Sequence, residues 1–180
     1  MAELNEKSNM NYLNIIAGKI AKKTTKEQGG IERIKKDGTT TYEKYYTSIK
    51  GSITSLSIKD GQFGHQVSIV FDGDTNLQFS LESRYATSFL TKQIPLNTPV
   101  EIAPYDFTDK EGKKQQGISV TVDGEKLKSD WTSAPPLLEK KKAGKVVFDN
   151  TDRVNYFIEK YKSEVKSEPV KEDGDDDLAF

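Results

Sequence analysis

Apolar and polar residues alternate with a period of two through the middle of the chain, as they do in strands with one buried face. Ile49-Lys50-Gly51-Ser52-Ile53 alternates in one parity and Leu56-Ser57-Ile58 in the other. The change of parity predicts a β-bulge or sharp bend near Thr54-Ser55, as where a strand curls around a small barrel. After the loop Asp60-Gly61-Gln62-Phe63-Gly64, Val67, Ile69 and Phe71 alternate with Gln66, Ser68 and Val70. Asp72-Gly73-Asp74 is a hairpin signal, and the next strand places Leu77, Phe79 and Leu81 inward with Gln78, Ser80 and Glu82 outward.

The period then lengthens. Ser83 caps a predicted helix with Ala86, Phe89, Leu90 and Gln93-Ile94 on one face, stopped by Pro95. Val100 and Ile102 mark a strand, residues 109–114 a turn, and Ile118, Val120 and Val122 the last clear strand, ended by Asp123-Gly124. Strand, strand, strand, helix, strand, strand is the connectivity of the OB-fold, a five-stranded Greek-key barrel. Upstream, residues 13–16 and 19–20 are expected to add a strand or hairpin with residues 39–46. Downstream, Val146-Val147-Phe148 precedes a helix opened by Asn150 or Thr151, whose stripe of Val154, Phe157, Ile158, Tyr161 and Val165 is expected to pack on the barrel. The expected fold is therefore all-β with small α content: an OB barrel with a helix between its third and fourth strands, extra N-terminal strands, a C-terminal helix and a disordered acidic tail. Residues 1–45 carry the N-terminal strands and a basic loop, 46–163 the barrel core and C-terminal helix, and 164–180 the tail.

Composition adds two points. Hydrophobic residues make up 34% and charged residues 31% of the 180 positions, so the ordered core should be smaller than the chain. The glycine-and-charge-rich region 22–44 and the segment after Glu164 are expected to account for the deficit. Second, the net charge of −1 hides a division: residues 168–180 hold six acidic side chains and one lysine, leaving 26 basic and 22 acidic side chains on the other 167 residues. A basic body with an acidic tail is an arrangement in which the tail competes with a polyanion for the body. The tail ends Asp175-Asp176-Asp177-Leu178-Ala179-Phe180, a charged peptide closed by an aromatic that fits a partner's pocket.

Enzyme chemistry finds no foothold. His65 is the sole histidine and there is no cysteine, so histidine triads, thiolate zinc sites and disulfides are excluded. Neither G-x-x-x-x-G-K-[ST] nor G-x-G-x-x-G occurs. The acidic run lacks preorganised metal geometry, and neither a metal nor a cofactor is expected. There is no signal-like N-terminus and no apolar run of membrane-spanning length, so a cytoplasmic protein without membrane contact is expected.

What remains is a set of basic and aromatic residues where an OB barrel binds nucleic acid, on strands two and three and the loops beside them. Lys59, Phe63 and His65 fall in the first loop; Tyr105, Phe107, Lys110, Lys113 and Lys114 fall in the second. Gln66, Ser68, Gln78 and Ser80 line the strands between, small and polar enough to admit a backbone. Lys50, Tyr46 and Trp131 complete the candidate set; of the adjacent Tyr45 and Tyr46, one should face inward and one outward. Bases stack on such rings for roughly 1–3 kcal/mol each while lysines follow the phosphates.

With strand order, loops and tail assembled, the chain resembles phage-type single-stranded DNA-binding proteins. The resemblance lies in residues 46–54 (Tyr46-Thr47-Ser48-Ile49-Lys50-Gly51-Ser52-Ile53-Thr54), in residues 83–90 (Ser83-Arg84-Tyr85-Ala86-Thr87-Ser88-Phe89-Leu90), in Gly144-Lys145-Val146-Val147-Phe148-Asp149, and in the acidic tail ending in phenylalanine. Bacterial members close on Pro-Phe, whereas this chain has Ala179 before Phe180. The resemblance implies a protein that coats exposed single strands in replication, recombination and repair, in the host cytoplasm if phage-encoded. It also implies that the tail recruits polymerase or other replisome proteins. Two alternatives use the same barrel: a protein-interaction adaptor without nucleic acid, and an RNA-binding barrel of cold-shock type.

Overall fold

The structure, a computed structural model, describes residues 10–61, 64–130, 132, 134–136 and 138–163. It is mostly β with two helices. Ten strands share one mixed, open sheet: β1 (Asn11–Ile16), β2 (Lys19–Thr24), β3 (Ile31–Ile34), β4 (Thr40–Tyr46), β5 (Ile49–Gly61), β6 (Gly64–Phe71), β7 (Thr75–Ser80), β8 (Pro99–Thr108), β9 (Lys114–Val122) and β10 (Glu125–Lys126). Their spatial order is β10-β9-β8-β5-β6-β7-β1-β2-β4-β3. Helix α1 (Arg84–Leu90) lies between β7 and β8 in the chain. A separate hairpin of β11 (Leu138–Lys142) and β12 (Lys145–Asp149) precedes α2 (Thr151–Ser163).

The strand β5 organises the sheet. Its first residues pair antiparallel with β8 (Ile49 opposite Ile102) and the remainder pairs with β6 (Ile58 opposite Val67). The register slips between Ile53 and Ser55, where the parity of apolar residues changes, and that bulge lets one strand serve two ladders. Ile53, Leu56, Val67, Ile69, Phe71, Leu77 and Phe79 all face the buried side, with Val100, Ile102, Ile118 and Val120 from β8 and β9. The hairpin at Asp72-Gly73 has φ of 52° and 74°, the left-handed turn its sequence favours.

Five strands lie side by side in the order β7-β6-β5-β8-β9, but among the described residues no ladder joins β7 to β9, so the expected five-stranded barrel is not seen to close. The N-terminal strand β1 instead pairs parallel with β7, Leu13 beside Leu77. The sheet curls until the β1–β2 turn reaches β8, and Gly18 permits this on two grounds. Its φ is +78°, and a Cβ there would lie 2.6 Å from the amide nitrogen of Asp106. The Gly18 N–H donates to Tyr85 Oη at 2.9 Å, tying the turn to α1.

Region 22–44, expected to lie outside the ordered core, instead forms β2, β3 and β4. Glu43, only 3% exposed, explains how so charged a stretch is held. Arg33 Nε donates to it at 2.6 Å and Tyr45 Oη at 2.9 Å. Burial pushes the Glu43 carboxyl up, but those two hydrogen bonds and the guanidinium outweigh it and hold the group below its ordinary range.

Helix α1 begins at the expected cap: Ser83 Oγ accepts from the Ala86 N–H at 3.3 Å. It ends at Leu90 rather than continuing through Gln93-Ile94, because Thr91 takes a non-helical ψ of 0° and closes the last turn. Replacing Ser83 by alanine should cost about 1 kcal/mol, measured as a lower urea midpoint with unchanged slope. The stripe of α2 packs on the core as expected, with Phe157 and Tyr161 buried; Val165 lies outside the described residues.

Candidate nucleic-acid interface

Strand β8 divides by parity. Val100, Ile102 and Pro104 are buried, while Glu101, Ala103, Tyr105 and Phe107 point to the other face. Tyr105 is 36% and Phe107 53% exposed, so the sheet leaves two large rings in solvent. Their centroids are 5.9 Å apart with planes tilted by 44°. Opposite Tyr105 in β9 stands Gly117, where a Cβ would lie 2.6 Å from the Tyr105 hydroxyl. The missing side chain lets the tyrosine ring lie across the strand.

These rings line a cleft of about 1090 Å³. Ala103 and Ser119 line it too, as do Thr47, Ser48 and the run Lys126, Leu127 and Lys128. Lys126 and Lys128 are exposed and Leu127 half-buried, the alternation of a strand edge. At depth lies Lys92, 7% exposed, whose Nζ donates to the Ser88 carbonyl at 2.6 Å and to Ser129 Oγ at 2.8 Å. Burial pushes its ammonium down to about 8. The combination of flat apolar rings, flanking cations and hydroxyls suits an unpaired base with its phosphate.

The expected residues reach this cleft unevenly. Tyr105 and Phe107 are brought together in it. Lys50, exposed, stands opposite Glu101 across the β5–β8 ladder at the cleft's edge, where Ser48 Oγ donates to Glu101 Oε2 at 2.8 Å. Lys114 does not join them. It has even parity on β9 and projects to the opposite face of the hairpin, 3.7 Å from Asp106 Oδ2. Lys113 lies in the turn, 3.9 Å from Glu111. Exposed Tyr46 faces a smaller hollow with Leu13 and Ile20, separate from the cleft though Ser48 borders both, while Tyr45 turns to Glu43. Lys59 and His65 sit at the β5–β6 hairpin, where His65 Nε2 is 2.7 Å from Asp60 Oδ1.

The face expected to admit a backbone is partly closed. Ser68 is 1% exposed and donates to Asn76 Oδ1 at 2.9 Å, and Ser57 and Asn76 are also buried. Gln66 and Gln78 instead line a smaller groove of about 360 Å³ with Asn14 and Arg33. The N-terminal strands therefore contribute to that face, which the five-strand expectation omits. Phe63, Trp131 and the tail residues Asp175, Asp176, Asp177, Leu178, Ala179 and Phe180 lie outside the described residues.

Sequence reasoning missed Lys126 and Lys128, although Lys126-Leu127-Lys128 after a turn is itself a basic strand-edge pattern. It also missed Lys92, whose hydrogen-bond partner Ser129 lies 37 residues away in the chain. Compared with known proteins, the chain matches no family model, no curated protein and no solved structure.

Proposed function

We propose that this chain is a sequence-independent single-stranded DNA-binding protein. On this proposal it coats exposed strands in replication, recombination and repair, and its role is binding rather than catalysis. The observation that carries the reading is that the exposed Tyr105–Phe107 pair shares the lining of one cleft with Lys126 and Lys128. Leaving two rings in water is costly for a fold unless a ligand covers them, and stacking accepts any base. The order β7-β6-β5-β8-β9 with α1 before β8 supports an OB-type core, in which the curl at Gly18 and the added strand β1 stand in for direct closure between β7 and β9. The acidic C-terminal peptide is proposed to recruit replisome proteins, including a polymerase, with Leu178 and Phe180 as its apolar anchor.

The test is titration of the full chain into a labelled single-stranded oligonucleotide across a range of salt concentrations. Log affinity should fall linearly with log salt, with a slope of about −0.7 for each phosphate neutralised. An RNA competitor of the same sequence should displace the DNA poorly; equal competition would favour an RNA-binding barrel. No binding at low salt would remove the proposal.

A further inference from the structure

Lys92 is a buried lysine, and every partner it has is neutral. The Ser88 carbonyl at 2.6 Å, Ser129 Oγ at 2.8 Å and Ser88 Oγ at 3.2 Å accept its protons. A buried ammonium without a counter-charge is expensive, and proteins normally supply a carboxylate. Among the described residues none lies within ion-pair distance of Lys92. The carboxylates that line the cleft are committed elsewhere. Glu101 accepts from Ser48 and faces Lys50, and Asp109 accepts from the Glu111 and Lys113 amides and from Gln115. Asp130, which follows Ser129, accepts from Thr132. The other charges facing the cleft are Lys126 and Lys128, which add to the positive field.

We infer that Lys92 is a phosphate-binding cation at the floor of this cleft, taking one backbone phosphate of a strand whose bases lie on Tyr105 and Phe107. The inference rests on the single-stranded DNA proposal and assigns a specific role to a residue outside the exposed rim. Ser129 Oγ and Ser88 Oγ orient the ammonium, so that an arriving phosphate oxygen replaces one hydroxyl contact with a charge-assisted one.

A pH signature follows. Burial lowers the lysine to about 8, so the free protein loses this proton as pH rises past that value. A phosphate favours the charged form, and binding above pH 8 therefore takes up a proton. The affinity of the unmodified chain for a labelled oligothymidylate, at fixed ionic strength, should fall about tenfold between pH 7 and pH 9. The Lys92→Met variant should bind more weakly at pH 7 with a flat profile. Lys92→Arg, which stays charged, should hold its affinity through pH 9. Thermal melts of each variant establish that it is folded. An unmodified chain that binds equally well at pH 7 and pH 9 would overturn the inference without a variant, and so would a Lys92→Met protein with an unaltered pH profile. Either result leaves single-stranded DNA binding standing, whereas absence of binding at every pH removes both.

Discussion

Replacing Tyr105 and Phe107 together by alanine should weaken single-stranded DNA binding by roughly two orders of magnitude. Each ring offers one stacking face, worth roughly 1–3 kcal/mol to a base, and a tenfold change in affinity corresponds to about 1.4 kcal/mol. Both side chains are partly exposed and neither belongs to the buried core, so their removal should leave the thermal midpoint within a few degrees of the unmodified protein. The salt slope provides the sharper control. Rings neutralise no phosphate, so the double variant should bind more weakly with the same dependence on log salt. Replacing Lys126 and Lys128 by glutamine should do the reverse and flatten the slope. If instead the aromatic variant bound like the unmodified chain, the cleft on β8 and β9 would not be the place where bases lie. The smaller groove of Arg33, Gln66 and Gln78 would then be the next surface to alter.

What the chain disclosed before folding was set by local pattern. The parity change at Thr54-Ser55, the left-handed turn at Asp72-Gly73 and the cap at Ser83 each depend on a few neighbouring residues, and each appears where expected. Region 22–44 was misjudged because its order comes from a distant pairing. Arg33 and Glu43 face one another only once β3 lies against β4, and no composition window registers that ion pair. The closure of the sheet was equally invisible, since strand count does not say whether β7 will meet β9 or β1. At the candidate site, Tyr105 and Phe107 were singled out as residues of the loop between the last two barrel strands; they stand instead on β8, where residues two apart share a face. Lys114 was wrongly grouped with them because proximity in a hairpin loop conceals the parity that sends it to Asp106. Lys92 had no local signal, since its environment is assembled from α1, β9 and the segment after β10.

The second large effect concerns α2 and what its apolar stripe is for. Phe157 is 1% exposed and Tyr161 7%, and Tyr161 Oη donates to the Leu90 carbonyl at 3.3 Å, at the end of α1. Arg153 Nε donates to the Pro135 carbonyl at 2.8 Å, so the helix is tied both to the core and to the segment before it. Phe157→Ala should therefore cost about 3–5 kcal/mol, the lost transfer energy of the ring plus the cavity it leaves. For a domain of this size that is a drop of roughly 10 °C in melting temperature, and a large share of a total stability on the order of 5–15 kcal/mol. Single-stranded DNA affinity, measured well below the new midpoint, should stay within a factor of two, because Phe157 does not line the cleft. A helix whose stripe served a partner would behave the other way: the variant would melt normally and lose only an association. The contact with Leu90 decides between them on physical grounds. Lys92 follows α1 by two residues and is held by the Ser88 carbonyl of that helix, so a core that holds α2 against α1 also fixes the place where a phosphate would be received.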